Sequence, residues 1–150
     1  AYHSDARVVS DIVERDRRGR HVRTLAAGVE QGGLALSPDG KWIAVSRPDG
    51  LSSNLWIVDV ARDVASRFTT SEGQHARAHW SPDAVTIGYG TNRSGLGTMS
   101  AFAAKARASA DDEKVIATGF VPVGWTRDPA VALCQNATVR GPGERIAIFR

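Results

Sequence analysis

Leu34-Ala35-Leu36-Ser37-Pro38-Asp39-Gly40-Lys41-Trp42-Ile43-Ala44-Val45-Ser46-Arg47 reads as a short apolar strand, a tight turn and a second strand. Pro38 presets φ at the second turn position, and Gly40 frees the backbone where the turn closes. The return arm is rich in β-branched and aromatic side chains, as a half-buried strand requires. The stretch matters because it recurs. A second copy is His79-Trp80-Ser81-Pro82-Asp83-Ala84-Val85-Thr86-Ile87-Gly88-Tyr89-Gly90, and a worn third runs from Gly124 to Cys134 through Thr126-Arg127-Asp128-Pro129. Ser37 and Ser81 are 44 positions apart, Trp80 and Trp125 45. Each copy keeps an apolar residue before the turn (Leu36, Trp80, Trp125) and an Asp within it (Asp39, Asp83, Asp128). A period of about 40–45 residues carrying only strand and turn signals points to propeller blades of about four strands each.

On these residues the chain resembles the TolB-type, WD-repeat-like β-propeller family, whose blades carry a Ser-Pro-Asp-Gly turn. Ser37 to Val45 fits that pattern closely, as does Asn54-Leu55-Trp56-Ile57-Val58-Asp59-Val60 at the place of a third blade strand. Ser81-Pro82-Asp83-Ala84 is a near match and Thr126-Arg127-Asp128-Pro129 a poor one. The resemblance implies a bacterial protein in a periplasmic or extracytoplasmic setting. It also implies a scaffold that binds protein or peptide, or an accessory domain beside another activity.

The expected fold is all-β: consecutive four-stranded antiparallel blades, about three of them, in an incomplete ring. Residues 7–25 form the end of a preceding blade, 34–70 one blade, 76–118 a second and 121–150 an incomplete third. Residues 26–33 and 47–53 are expected as loops. Thr98 to Phe102 is expected as a third strand, and Ala103 to Ala110 as a connecting loop with some helix propensity. At this period, four blades need more than 150 residues, and a closed propeller needs about four. The sequence begins at Ala1 and stops inside the apolar run Ile146-Ala147-Ile148-Phe149, so it reads as a fragment; a complete small β-domain is the alternative.

Of 19 basic residues 16 are Arg, and the net charge is +3. The only dense basic run, Arg15 to Arg23, is interrupted by Asp16 and falls at a hairpin, so it reads as a solvated turn and not as a nucleic-acid patch. No run of about 18 apolar residues exists, so no membrane-spanning helix is expected. Cys134, the single cysteine, is expected as a small buried hydrophobe.

No catalytic residue, metal site or cofactor is expected. His75 and His79 share a predicted strand without a third ligand, so both read as surface or interblade histidines. Ser100 lacks the Gly-x-Ser-x-Gly elbow of a serine hydrolase. The turn aspartates are expected to bond nearby backbone N–H groups. Loops joining second to third strands, and fourth to first, share one rim. They are expected to supply binding residues Arg47, Asp49, Asn54, His75, Arg77, Asn92 and Arg93 for a protein or peptide partner. Further propeller blades, in the same or another chain, are the other expected partner. Two alternatives come from other classes. One is an accessory propeller of a prolyl-oligopeptidase-like serine peptidase. The other is a sensor domain of a bacterial kinase or transcriptional regulator.

Overall fold

The computed structural model describes residues 9–30, 33–93, 99–106, 113–137 and 146–149. All the regular structure there is strand, in four sheets. A hairpin, β1 (Val9–Arg15) and β2 (His21–Glu30), comes first. The first full blade has the order β3 (Leu34–Leu36), β4 (Trp42–Asp49), β5 (Ser52–Asp59), β6 (Val64–Arg67). The second has β7 (His75–Trp80), β8 (Thr86–Thr91), β9 (Ser100–Lys105), β10 (Lys114–Thr118). The third sheet has three strands, β11 (Phe120–Trp125), β12 (Ala132–Asn136) and β13 (Ile146–Phe149). Every strand pair is antiparallel. The sheets form an open arc of propeller blades.

The sheets stand side by side because their strands are apolar on both faces. Ile43, Val45 and Val58 face the first hairpin and meet Ala26 and Val29. One position over, Ala44, Leu55 and Ile57 face the second blade and meet Trp80, Ile87, Tyr89 and Phe102. Ala101 and Ala117 then meet Ala132 and Cys134 across the next seam. The period-2 alternation of a strand turns each such run into two buried faces. Gly88 and Gly90 let β11 lie close. A Cβ on Gly88 would sit 3.3 Å from the Trp125 ring, and one on Gly90 2.9 Å from Met99 and 3.1 Å from Val121.

The repeated turns close in one way. Ser37 Oγ donates to Asp39 at 2.6 Å and accepts the Trp42 N–H at 2.9 Å, and Asp39 accepts the Lys41 N–H. Ser81, Asp83, Thr86 and Val85 repeat the pattern. The Ser37 and Ser81 hydroxyls hold Asp39 and Asp83 below the usual carboxylate range, helped by the Lys41 and Val85 N–H groups. Gly40 takes φ +71°; Ala84, at a left-handed φ of 58°, does without the glycine. Two indoles sew the arc together. Trp80 Nε1–H donates to Ala35 O at 3.0 Å, and Trp125 Nε1–H to His79 O at 3.1 Å. Each Trp thus reaches the inner strand one blade back. Leu36, at the same place in the first copy, has no such donor and is 57% exposed.

Several boundaries differ from the sequence reading. Residues 26–30 extend β2, because Ala26 and Val29 are buried against the first blade and the ladder runs on to Glu30. The expected loop at 47–53 is a tight turn: Arg47, Pro48 and Asp49 pair with Asn54, Ser53 and Ser52. Pro48 is tolerated because β3 pairs only as far as Val45, so no neighbour waits for its missing N–H. The third strand of the second blade covers Ser100–Lys105, so Ala103 and Ala104 are ladder residues. Burial between blades favours small side chains there and overrides helix propensity. Residues 107–110 lie outside the described residues, as does the Gly141 to Gly143 break.

Candidate functional site

The rim built by the β4–β5 turn, the β6–β7 loop and the end of β8 carries most of the polar residues singled out above. The structure brings them together but largely satisfies them internally. Asp49 accepts from Arg67 at 2.9 Å and from Asn54 Nδ2 at 3.2 Å. Asn54 is buried, and its Oδ1 accepts from Thr69 Oγ1, which itself accepts the Leu55 N–H. Asn92 Oδ1 caps the Gln74 N–H at 2.7 Å. Arg93 bonds Glu113 at 2.5 Å and stacks 4.1 Å over the Phe102 ring. The Arg47 guanidinium lies 5.1 Å from the Trp56 ring centre. Asp49 and Arg93 thus pair within the rim itself, whereas the buried Arg47 Nε has no hydrogen-bond partner there.

His75 is the knot of this network. It is fully buried and starts β7, not a loop. Its Nδ1 lies 2.8 Å from Ser53 O, and Nε2 lies 3.0 Å from Ser71 Oγ. Its carbonyl accepts from Ser46 and Ser53, and its N–H donates to Ser53 Oγ. Ser53 and Gln74 also form a parallel bridge. The residue therefore clasps blade one to blade two. A hydroxyl beside an imidazole is the raw material of nucleophilic catalysis; here the imidazole is fully buried and both its nitrogens are engaged, by Ser53 O and Ser71 Oγ. Among the described residues no three His, Cys, Asp or Glu side chains gather as metal ligands would. Cys134 is buried, and burial pushes its thiol up to about 11, far from a reactive thiolate.

Arg77 stands apart. It is neither in a rim loop nor near Asp49. It sits in β7, at a bulge between Ala76 and His79, with a left-handed φ of 55°. The bulge throws its side chain outward, where it is exposed. Together with Leu34, Ala76, Ala78, His79, Pro122 and Val123 it lines a depression of about 480 Å³. These residues belong to β3, β7 and β11, the edge strands on the channel side of their sheets. His79 was read only as an ordinary histidine, yet it lines this depression. The bulge had no signal in the sequence beyond an expected inner arm, Ala76 to Trp80, longer than its three-residue counterpart Leu34–Leu36.

Burial lowers the protonation of both His75 and His79, with the Arg77 charge adding to the effect at His79. The unfolded imidazoles titrate near 6.5. Below that value the unfolded chain binds protons that the folded chain refuses, so stability is full above about 6.5 and falls as pH drops toward the lowered folded values. Melting curves between pH 7.5 and 5.0 should show Tm falling on the acid side, with a smaller fall in His79→Gln. A flat profile would contradict the burial argument.

No family model matches the sequence, and no curated protein does. Solved structures do. The fold is similar to that of TolB from Acinetobacter baumannii, with 17% identity, a TM-score of 0.69, and coverage of 89% of this chain and 33% of that one. A prolyl endopeptidase structure matches at 17% identity and a TM-score of 0.68, covering 89% of this chain and 23% of that one. A putative TolB from Agrobacterium tumefaciens matches at 17% identity and 0.66, covering 92% and 56%. The chain spans between 23% and 56% of these proteins. A TolB-like β-propeller architecture is what the likeness carries. Among the described residues no helix is long and apolar enough to cross a membrane.

Proposed function

We propose that this chain is a non-catalytic propeller module that holds an extended segment of a protein or peptide against its channel-side strand edges. The observation that carries the reading is a depression spanning β3, β7 and β11, with an exposed arginine on a bulged edge strand at its wall. Edge strands offer backbone groups that an added strand can pair with, and neighbouring side-chain niches supply selectivity. Strained backbone and bulges concentrate where a side chain must be re-aimed toward a ligand. The rim residues Asp49, Asn54, His75 and Arg93 support that edge and do not themselves grip the partner. Peptides selected from a random phage library on the whole chain test this. Their amide-shift footprint in nuclear magnetic resonance should fall on β3, β7 and β11. A footprint on the outer strands β6 and β10, or no selected binder, would remove the proposal.

An accessory role beside a serine peptidase is the second reading, favoured by the likeness to a prolyl endopeptidase. A Gly-x-Ser-x-Gly elbow in the flanking sequence of the full-length protein would support it.

A further inference from the structure

Within the channel-side depression two polar side chains stand without partners. Arg23, Arg67 and Arg93 pair with Glu14, Asp49 and Glu113. No acid pairs with Arg77 among the described residues, and none lines the depression. The His79 ring, half-buried in the same wall, makes no hydrogen bond there either; only its backbone is engaged, in the ladder with Gly88 and by the Trp125 N–H. A free guanidinium and a free imidazole thus share a wall whose other side chains are apolar. The chain also holds Arg77 in a backbone conformation that suits glycine better. The bulge re-aims this side chain away from the ladder and toward the depression.

We propose that Arg77 and His79 form a carboxylate subsite, at which a bound peptide places an Asp or Glu side chain or its C-terminal carboxylate. This rests on the channel edge being the peptide site. The guanidinium presents two parallel N–H donors to the two carboxylate oxygens, and no acid lining the depression competes for them. His79 adds a donor once protonated. The groups packed about it are Leu34 of β3, Gly88 of β8, and Pro122, Val123 and Trp125 of β11; none of them titrates. Arg77 is the one charged neighbour lining the depression, and a carboxylate beside it cancels the charge that disfavours the imidazolium. Binding therefore draws a proton onto His79, and affinity rises as pH falls.

Three peptides supply the test: acetyl-Ala-Glu-Ala-Ala-amide, acetyl-Ala-Gln-Ala-Ala with a free C-terminus, and acetyl-Ala-Gln-Ala-Ala-amide. Each is titrated into the whole chain at pH 7.5 and 5.5 while the His79 ring proton, assigned with His79→Gln, is followed by nuclear magnetic resonance. One or both carboxylate peptides should bind at least about tenfold tighter than the neutral one, the scale of a charge-assisted hydrogen bond. They should bind tighter still at pH 5.5 and raise the His79 titration midpoint. The peptide that binds identifies the carboxylate source. Arg77→Gly should lose this preference while its Tm stays level or rises, which separates lost charge from lost fold, and Arg77→Lys should keep part of it. Equal binding of all three peptides overturns the subsite and leaves the peptide-binding reading standing. Carboxylate preference that survives Arg77→Gly also overturns it. No binding by any of the three overturns it too, while the phage selection judges the broader reading separately.

Discussion

Trp80→Ala is expected to destabilise the chain by about 3–5 kcal/mol, the range for truncating a large buried aromatic. Trp80 is only 8% exposed and packs in the cluster joining blades one and two. Its N–H also supplies a hydrogen bond across the seam to Ala35 O. Trp80→Phe separates the two contributions. The ring stays, the cross-blade bond goes, and Ala35 O keeps its ladder pairing with Ala44, so the loss should be nearer 1 kcal/mol plus a small packing deficit. Trp125→Ala should cost less than Trp80→Ala, because Trp125 is only half-buried, although its bond to His79 O is equivalent. Leu36→Ala should fall within about 0.5 kcal/mol, the usual range for a surface change. Urea unfolding of the four variants gives the order. If Leu36→Ala matched Trp80→Ala, the indole seam would not be what joins these blades.

That ranking shows what the repeat could and could not disclose. Leu36, Trp80 and Trp125 are interchangeable as a pattern of apolar residues before a turn, and the pattern was enough to place the blades. Their unequal burial depends on which blade stands behind each of them, and no period encodes that. Both faces of β5 were legible because Leu55 and Ile57 alternate with Trp56 and Val58. The third strand of blade two was not. Its alanines carry helix propensity, and their role, letting blades approach closely, exists only once the neighbours are in place. The rim was legible as polar, but the pairings within it were not. Asn54 meets Thr69, and Arg93 meets Glu113, across 15 and 20 positions. A residue list cannot reveal that two attractive groups already satisfy each other. Arg77 was singled out by its expected place in a rim loop, but its isolation comes from a bulge in β7 that shifts it out of the ladder.

Glu113→Ala is expected to cost about 3 kcal/mol, and the reason lies in what it leaves behind. The carboxylate accepts from Tyr89 Oη at 2.6 Å through one oxygen and from Arg93 at 2.5 Å through the other. Tyr89 is fully buried among Phe68, His75 and Phe102. Burial, with Glu113 accepting from its hydroxyl, pushes its ionisation well above the ordinary tyrosine value, so it is a permanent donor here. Removing Glu113 orphans that hydroxyl and an arginine lying on the Phe102 ring. Breaking one side of a buried ion pair costs about 3–5 kcal/mol, and the 31% exposure of the Arg93 side chain places this case at the lower end. Glu113→Gln keeps an acceptor and should lose about half as much. Tyr89→Phe removes one of the two demands, so in that background Glu113→Ala should cost less, and the double-mutant cycle should show a coupling of about 1 kcal/mol or more. Arg93→Ala belongs to the same test, because it was first read as a residue for a partner. If Arg93 serves the rim, its loss lowers stability and leaves the footprint of a bound peptide where it was. A peptide whose affinity collapsed in Arg93→Ala at unchanged stability would return the binding surface to the rim.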